Sequence, residues 1–374
     1  MRPRLVRFLR WALALGALAF VVWVVPVRDQ CWDARSPRST HVAVTHVVAG
    51  CTLHLRTGEV TIPEAECSQL RCEPGLATTV EHARVGALAA LLAVYLLGMF
   101  VWAARWRALL AFAGIEMSIL EVWRVSIEAQ AGGILLPGGI GGDALRIASV
   151  ASRPTRAGET RAPVAIVVAS VLLDRVVGLA VLSALAAALG FAWGGLRDAT
   201  LAFVLAAIPV GAFAGIALLR LGPVERIRWL TRGRVGEVVG PVLQYVRDPR
   251  APGAIARAVA LSVLVAAIQF ATIRGIIGAL GSAPSSEKWV YVGSAMSFIV
   301  AAVPALPGGW GTSDASWVFF LGKAGLAAGA ALAVCLMYRL FWYFSGMLGA
   351  LLHLFRPRTA AVPAAADPAG QPPS

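Results

Sequence analysis

Charged residues are scarce in this 374-residue sequence. Asp, Glu, Lys and Arg make up 14% of the chain, whereas hydrophobic residues make up 58% and the mean hydropathy is +0.74. A soluble globular domain carries about 25% charged residues, so this chain has too little polar surface to cover a water-soluble globule. The composition therefore excludes an ordinary soluble protein and predicts an integral membrane protein.

Signatures of common enzyme classes are also missing. The sequence has no GxxxxGK[ST] loop for nucleotide phosphates, no HExxH zinc motif and no GxSxG nucleophile elbow. The five histidines do not form the acid–base group that a membrane hydrolase needs. We therefore predict that the chain is not an enzyme and has no catalytic residues, no metal and no cofactor.

Lysine is almost absent, although the net charge is +13. Only Lys288 and Lys323 are lysines among the 33 basic residues. The arginines cluster in short segments beside apolar runs, and this distribution is typical of cytoplasmic loops of membrane proteins. The excess of basic residues is therefore interpreted as a signal of membrane topology, and we predict no nucleic-acid partner.

Long apolar runs divide the chain into membrane and non-membrane parts. A helix needs about 20 residues to cross the hydrocarbon core, and about six stretches fit: 11–27, 85–104, 164–196, 199–219, 258–280 and 340–355. We predict a signal-anchor helix at 1–27, an extracytoplasmic cap at 28–82, a transmembrane domain at 83–355 and a disordered cytoplasmic tail at 356–374.

Four of the five cysteines lie in the predicted cap, namely Cys31, Cys51, Cys67 and Cys72. An even set of cysteines in an exported segment predicts two disulfides, and three connectivities are possible. A zinc site is the alternative, since the segment also contains His41, His46 and His54, but the cysteine spacing matches no common zinc pattern. Short strands are expected at 42–48 and 53–55, with a turn at 57–58.

Arginine clusters predict which loops face the cytoplasm. Arg105 and Arg107 follow the second span, Arg146 lies among further arginines before residue 161, and the 220–257 loop is rich in arginine. One full crossing between Arg107 and Arg146 would put the second cluster outside, against the positive-inside rule. We therefore predict a re-entrant hairpin that enters from the cytoplasm, and a second one near 289–322 that enters from outside.

The two predicted hairpins share a motif. LPGGIGGD at 136–143 and LPGGWGTSD at 306–314 form an internal repeat, and entry from opposite faces makes it an inverted-topology repeat. Such repeats are typical of secondary transporters, whose sites lie where broken helices meet. The fold predicted is thus an all-α polytopic membrane protein with an inverted repeat and two re-entrant Pro-Gly-Gly hairpins, plus the disulfide-bonded cap.

Charged residues inside apolar stretches complete the candidate site. An intramembrane charge costs at least ~2.5–3.5 kcal/mol on insertion scales, so it usually faces a partner or an aqueous cavity. We predict that a substrate pathway is lined by Pro137, Gly138, Gly139, Gly141, Gly142, Asp143, Arg146, Asp174, Arg175, Pro307, Gly308, Gly309, Gly311, Asp314 and Arg339. The alternatives are simple tight turns for the glycine motifs, and a structural pair such as Asp174 with Arg339.

Four segments resemble the lysylphosphatidylglycerol synthase transmembrane-region family, also called flippase-like. They are LPGGIGGDALR, VLLDRVVGL, PALPGGWGTSD and LMYRLFWY, in that order within about residues 85–355. The family includes the membrane half of the multiple peptide resistance factor, which moves aminoacylated phosphatidylglycerol between leaflets. Here Asp314 stands where the family usually has Glu, and no aminoacyl-transferase domain follows residue 355, so the resemblance does not imply lipid synthesis.

The resemblance implies a flippase-like transporter that moves a phospholipid or a polyprenyl-phosphate-linked lipid between leaflets. The alternative is a non-transporting scaffold that recruits an envelope-biogenesis enzyme through the cap or the arginine-rich loop. The expected partner is a membrane lipid. The expected location is the plasma membrane, here the bacterial inner membrane, with both termini in the cytoplasm.

Overall fold

Long apolar stretches become long helices in the computed structural model of the chain, because a helix satisfies its backbone hydrogen bonds internally in hydrocarbon. The structure describes residues 23, 25–33, 42–47, 50–55, 58–67, 70–135, 140–151, 164–192, 199–222, 240, 242–302 and 310–355. Most of the predicted signal anchor (1–27), the tail (356–374) and the tips that contain Pro137, Gly138, Gly139, Pro307, Gly308 and Gly309 lie outside the described residues.

The cap is a small antiparallel sheet with two short helices. Its strands are β1 (Asp29–Asp33), β2 (Val42–Val47), β3 (Gly50–Leu55), β4 (Gly58–Pro63) and β5 (Leu70–Glu73). Their order across the sheet is β4-β3-β2-β1-β5, and the helices are α1 (Glu64–Cys67) and α2 (Leu76–Glu81). The sequence anticipated β2 and β3 but not β1, β4 or β5.

Two disulfides hold the cap together, as predicted. Cys31 pairs with Cys72, and Cys51 pairs with Cys67. Cys31 and Cys72 are direct neighbours across β1 and β5, so the register of the sheet decides this pairing. Because both bonds use all four cysteines of the cap, the zinc alternative loses its thiolate ligands.

The membrane domain is helical. Its helices are α3 (Val85–Phe112), α4 (Ile119–Leu135), α5 (Ile140–Ala151), α6 (Val164–Ala192), α7 (Ala199–Leu221), α8 (Ala251–Ala279), α9 (Glu287–Ala302), α10 (Thr312–Lys323) and α11 (Ala328–Leu354). Five of them, α3, α6, α7, α8 and α11, are long and apolar enough to cross a membrane. These five confirm the predicted spans other than the first.

The remaining helices are short and form two pairs. Helices α4 and α5 have 17 and 12 residues, and α9 and α10 have 16 and 12 residues. Each pair lies between two long helices in the sequence. The order long, short, short, long therefore occurs twice, in α3–α6 and again in α8–α11. In both pairs a glycine allows close packing, since a Cβ on Gly142 would meet Ala129 of α4 and one on Gly293 would meet Phe320 of α10.

Hydrogen bonds identify the end of the bundle that carries the cap, called the cap end. The backbone N–H of Arg84, just before α3, donates to Ala279 O at the end of α8 at 2.8 Å. The N–H of Ser285, before α9, donates to Ala324 O, after α10, at 2.8 Å. Both ends of the α9/α10 pair therefore lie at the cap end.

The opposite end of the bundle, called the distal end, contains the last turns of α3 and α11 and both ends of the α4/α5 pair. Arg124 Nη2 on α4 donates to Leu352 O near the end of α11 at 2.6 Å. Val150 of α5 packs with Trp106 and Leu110 in the last turns of α3. Both ends of the α4/α5 pair therefore lie at the distal end. That the two pairs dip into a membrane from opposite faces stays a prediction.

The structure corrects the assignment of Arg105 to a loop, and it places Arg146, which was counted among the loop arginines but also predicted to line the pathway, inside the bundle. Helix α3 continues to Phe112 instead of ending before Arg105, and Arg105 and Arg146 are only 5% and 1% exposed. Both side chains lie inside the bundle because a buried carboxylate, Asp174, pairs with them. The positive-inside rule does not separate a loop arginine from an arginine with an internal partner.

Candidate functional site

A cavity of about 370 Å³ lies inside the helical bundle. Helices α3, α4, α5, α6, α8, α9 and α11 contribute residues to its lining. One part of the wall is ionic and includes Arg105, Arg146 and Asp174, whereas another part is aromatic and includes Tyr95 and Tyr338. The cavity therefore offers polar and apolar surfaces side by side.

Asp174 on α6 is the centre of the ionic wall. Its Oδ1 accepts a hydrogen bond from Arg105 Nε on α3 at 2.7 Å, and its Oδ2 accepts one from Arg146 Nη1 on α5 at 3.3 Å. Arg105 Nη1 also donates to Ser262 Oγ on α8 at 3.1 Å. Gly178 makes this possible, because a Cβ there would stand 2.7 Å from Arg105 Nη1. One carboxylate thus joins three helices, while a serine adds a fourth.

Asp143 on α5 forms the outer part of the same cluster. It accepts a hydrogen bond from Arg175 Nε on α6, and Arg146 Nη1 lies 3.9 Å from its Oδ1. The side chains of Asp143 and Arg175 are 20% and 35% exposed. This pair is therefore far more accessible than the Asp174 pairs behind it.

Arg146 is buried and incompletely paired. Its guanidinium stacks on Trp106 and Trp102, with Cζ 3.9 and 4.4 Å from the ring centroids. Its Nε and Nη2 have no hydrogen-bond partner within the described chain. An unsatisfied buried donor is costly, so this arginine has donor capacity that an anion could use.

A second ion pair joins α10 to α11. Arg339 Nη2 donates to Asp314 Oδ1 at 2.5 Å, and Cys335 Sγ donates to the same oxygen at 3.1 Å. The other oxygen accepts the N–H of Gly311 at 2.9 Å. Gly311 has φ +77°, a conformation that favours glycine at the start of α10. Asp314 thus organises both the pair and the helix start.

The predicted site residues therefore form two groups. Asp143, Arg146, Asp174 and Arg175 meet at the cavity together with Gly142. Asp314, Arg339 and Gly311 form the separate α10/α11 cluster and are not among the cavity-lining residues. The suggested Asp174–Arg339 pair is wrong, because each of these residues finds its partner in its own half of the domain.

Arg105, Trp102 and Ser262 belong to the site but were not predicted. A periodic signal was available, since Tyr95, Met99 and Trp102 precede Arg105 at spacings of three or four residues, which lie on one helix face. Assigning Arg105 to a loop removed it from that face.

No group of three or more His, Cys, Asp or Glu side chains among the described residues is arranged to hold a metal ion. The described lining of the cavity offers groups for ionic and hydrogen-bonding recognition. Its donors are guanidinium groups, which bind carboxylates and phosphates through directed N–H groups.

Five long apolar helices define a multi-pass membrane protein, and four of them, α3, α6, α8 and α11, contribute residues to the ionic cavity. Residues 75–349 match the family model described as lysylphosphatidylglycerol synthase TM region. Because the match covers most of the chain, the protein belongs to this family, as the motifs predicted. Neither curated proteins nor solved structures give a match.

Proposed function

We propose that the protein is a flippase-like transporter that moves the polar headgroup of a phospholipid or a polyprenyl-phosphate-linked lipid between leaflets. The observation that carries the proposal is the cavity with an arginine-rich wall inside a bundle of apolar helices. Buried charges in membrane domains usually mark a pathway or a structural pair. Here the partly exposed Asp143–Arg175 pair favours a pathway.

The position of the two ion clusters supports a path along the bundle. Arg175 and Arg339 are each the twelfth residue of their long helices, α6 and α11. Since a helix rises 1.5 Å per residue, each lies ~16 Å from the start of its helix. Those starts are at opposite ends of the bundle, so the clusters flank the middle from either side. In the proposal a headgroup passes between them while its chains stay in lipid.

The proposed orientation puts the cap outside and both termini in the cytoplasm of a bacterial inner membrane. Exposed or partly exposed arginines at the distal end, including Arg107, Arg220 and Arg250, support this orientation because positive residues are retained in the cytoplasm. The proposal assigns no enzymatic step to the chain.

The alternative is a scaffold that recruits an envelope-biogenesis enzyme. Strand β4 favours it, since β4 is an edge of the cap sheet and nearly all its residues are exposed. An edge strand can pair with an extended segment of another protein.

A leaflet-resolved assay tests transport. The purified chain is placed in vesicles that contain a fluorescent phospholipid, and a membrane-impermeant quencher measures the lipid that reaches the outer leaflet. We expect protein-dependent movement. Vesicles in which the folded protein moves no lipid faster than protein-free vesicles would contradict transport and favour the scaffold.

Two glycine variants make the assay specific for the cavity. Gly133 lines the cavity, and a Cβ there would be 3.8 Å from Trp342. Gly133→Leu should therefore fill the cavity and slow transport without removing a charge. Gly211→Leu on α7 is the matched control, because nothing lies within 4 Å of a Cβ at Gly211. Equal rates for both variants would contradict a pathway through this cavity.

A further inference from the structure

The cavity has more positive than negative groups. Its described lining contains three arginines, Arg105, Arg146 and Arg175, but only two carboxylates, Asp143 and Asp174, and its other ionisable groups are tyrosines. The hairpin tips at 136–139 and 303–309 contain no charged residue in the sequence. Among the described lining residues, positive charges therefore exceed negative charges by one.

Neither carboxylate is left for a cationic ligand. Both oxygens of Asp174 accept hydrogen bonds from arginines, and Asp143 accepts one from Arg175 while a second arginine lies at 3.9 Å. Aromatic faces could also attract an ammonium group, but Arg146 already covers Trp102 and Trp106. A positively charged ligand would therefore meet repulsion from the arginines, and both carboxylates of the described lining already face arginines.

An anion, by contrast, finds unused donors. Arg146 is 1% exposed, lines the cavity, and has two guanidinium nitrogens without a hydrogen-bond partner within the described chain. An unbalanced buried charge is unfavourable in a membrane interior unless a partner neutralises it. A phosphate oxygen has the charge and the acceptor geometry that an arginine prefers.

From these observations we infer that the cavity binds a lipid-borne phosphate whose headgroup keeps a net negative charge, and rejects a headgroup made cationic by an attached amino acid. The inference rests on the proposed lipid transport and specifies its substrate class. A volume of about 370 Å³ fits a headgroup, since whole ligands occupy cavities of about 300–1,000 Å³. Acyl or prenyl chains remain outside.

Equilibrium binding separates the headgroup classes. The purified full chain in uncharged detergent is titrated with dioctanoyl phosphatidylglycerol, farnesyl phosphate and dioctanoyl lysylphosphatidylglycerol, and calorimetry gives each Kd. We expect at least one of the two anionic lipids to bind about tenfold or more tightly than the lysyl lipid. The tighter anionic ligand then identifies a glycerol-based or prenyl-based source of the phosphate. Equal or tighter binding of the lysyl lipid would overturn the inference.

Inorganic phosphate distinguishes a lipid headgroup from a free ion. We expect it to displace the anionic lipid only at concentrations about a hundredfold above the lipid Kd, because it lacks the apolar chains that hold the lipid in the detergent micelle around the protein. Displacement at equal concentrations would contradict a lipid ligand.

Substitutions of arginines test whether the preference for anionic lipids over the lysyl lipid arises in the cavity. Arg146→Gln removes the unused donors and should raise the Kd of the anionic lipid about tenfold. The ratio between the Kd values of the lysyl lipid and the anionic lipid should therefore decrease. Arg175→Gln removes the excess charge at a more exposed position, so it tests the same point if Arg146→Gln does not fold. Arg274→Gln is the control, because Arg274 pairs with Glu287 outside the cavity. An unchanged preference in folded Arg146→Gln or Arg175→Gln would refute the assignment.

Binding and transport can fail independently. Preferential anionic binding without leaflet movement would refute transport but keep the anion site. Transport that favours the lysyl lipid would support the proposed function and refute the substrate class.

Discussion

In the half of the membrane domain formed by α3–α6, Asp143 follows the first Pro-Gly-Gly motif and pairs with Arg175 on the next long helix. In the half formed by α8–α11, Asp314 follows the second motif and pairs with Arg339. The two arginines occupy the same position, the twelfth, in α6 and α11. The pair in the first half is partly exposed, whereas the pair in the second half is nearly sealed.

The neighbours of these pairs differ in chemistry. Three residues after the carboxylate, the first half has Arg146 and the second has Trp317; one residue before the long-helix arginine, the first half has Asp174 and the second has Tyr338. Arg146 contacts Asp174 as an ion pair, while the rings of Trp317 and Tyr338 lie 6.3 Å apart. Matching positions thus form an ionic contact in one half and an aromatic contact in the other.

This difference explains why the cavity has two kinds of wall. Asp174 and Tyr338 both line it, so the ionic wall comes from the first half and part of the aromatic wall from the second. In the proposed transport, the headgroup phosphate contacts the ionic wall, and the less polar part of the headgroup contacts the aromatic wall. The following predictions test whether the halves are divided in this way.

The largest loss of stability is expected for Asp174→Leu. The change leaves two buried arginines, Arg105 and Arg146, without their shared carboxylate, and removing one partner of a buried pair costs ~3–5 kcal/mol. We expect little folded protein, measured as the monodisperse fraction in size-exclusion chromatography. Tyr338→Leu at the matching position removes no charge and should leave most of the protein folded. Equal yields for the two variants would show that the ionic wall is not structurally special.

Arg339→Leu should have the next largest effect. It leaves Asp314 buried without a cation, but Cys335 and the N–H of Gly311 still donate to this carboxylate. The loss should therefore lie near the lower end of ~3–5 kcal/mol and appear as a lower Tm of the purified protein. Arg339→Lys keeps the charge and should recover part of the loss. A Tm unchanged by Arg339→Leu would mean that the sealed pair contributes nothing to folding.

The sequence predicted the long helices and the number of disulfides better than it predicted which side chains are in contact. Apolar runs fix where α3, α6, α7, α8 and α11 lie, because a spanning helix needs a minimum length. Four cysteines in one short segment predicted two disulfides, but the pairing of Cys31 with Cys72 depends on the register of β1 and β5. The partners of Asp174 could not be derived, since they depend on which faces of α3, α5 and α6 meet.

The cap provides a third, smaller effect, because it contacts the second half. A Cβ on Gly329 of α11 would be 2.7 Å from the backbone of Gly75 at the end of the cap. Loss of the Cys31–Cys72 bond in a double Cys→Ser variant should cost ~2–4 kcal/mol of cap stability. We expect faster proteolysis of the cap and a modest Tm decrease. The Cys51–Cys67 double variant, with a shorter loop of 16 residues rather than 41, should lose less. The reverse order would contradict the loop-length argument.

Arg175→Leu should have the smallest effect on stability and a clear effect on transport. Arg175 is 35% exposed, and exposed ion pairs contribute only ~0–1 kcal/mol. Asp143 also keeps Arg146 nearby, with Nη1 at 3.9 Å, so the carboxylate does not lose every cation. We therefore expect a Tm close to that of the unchanged protein but slower lipid movement in the vesicle assay, because the accessible arginine would no longer attract the phosphate.

Arg274→Leu, which also breaks a partly exposed pair but lies outside the cavity, should leave the rate unchanged. A folded Arg175→Leu variant that transports at the normal rate would remove Arg175 from the pathway, and the two halves would then differ in burial but not in function.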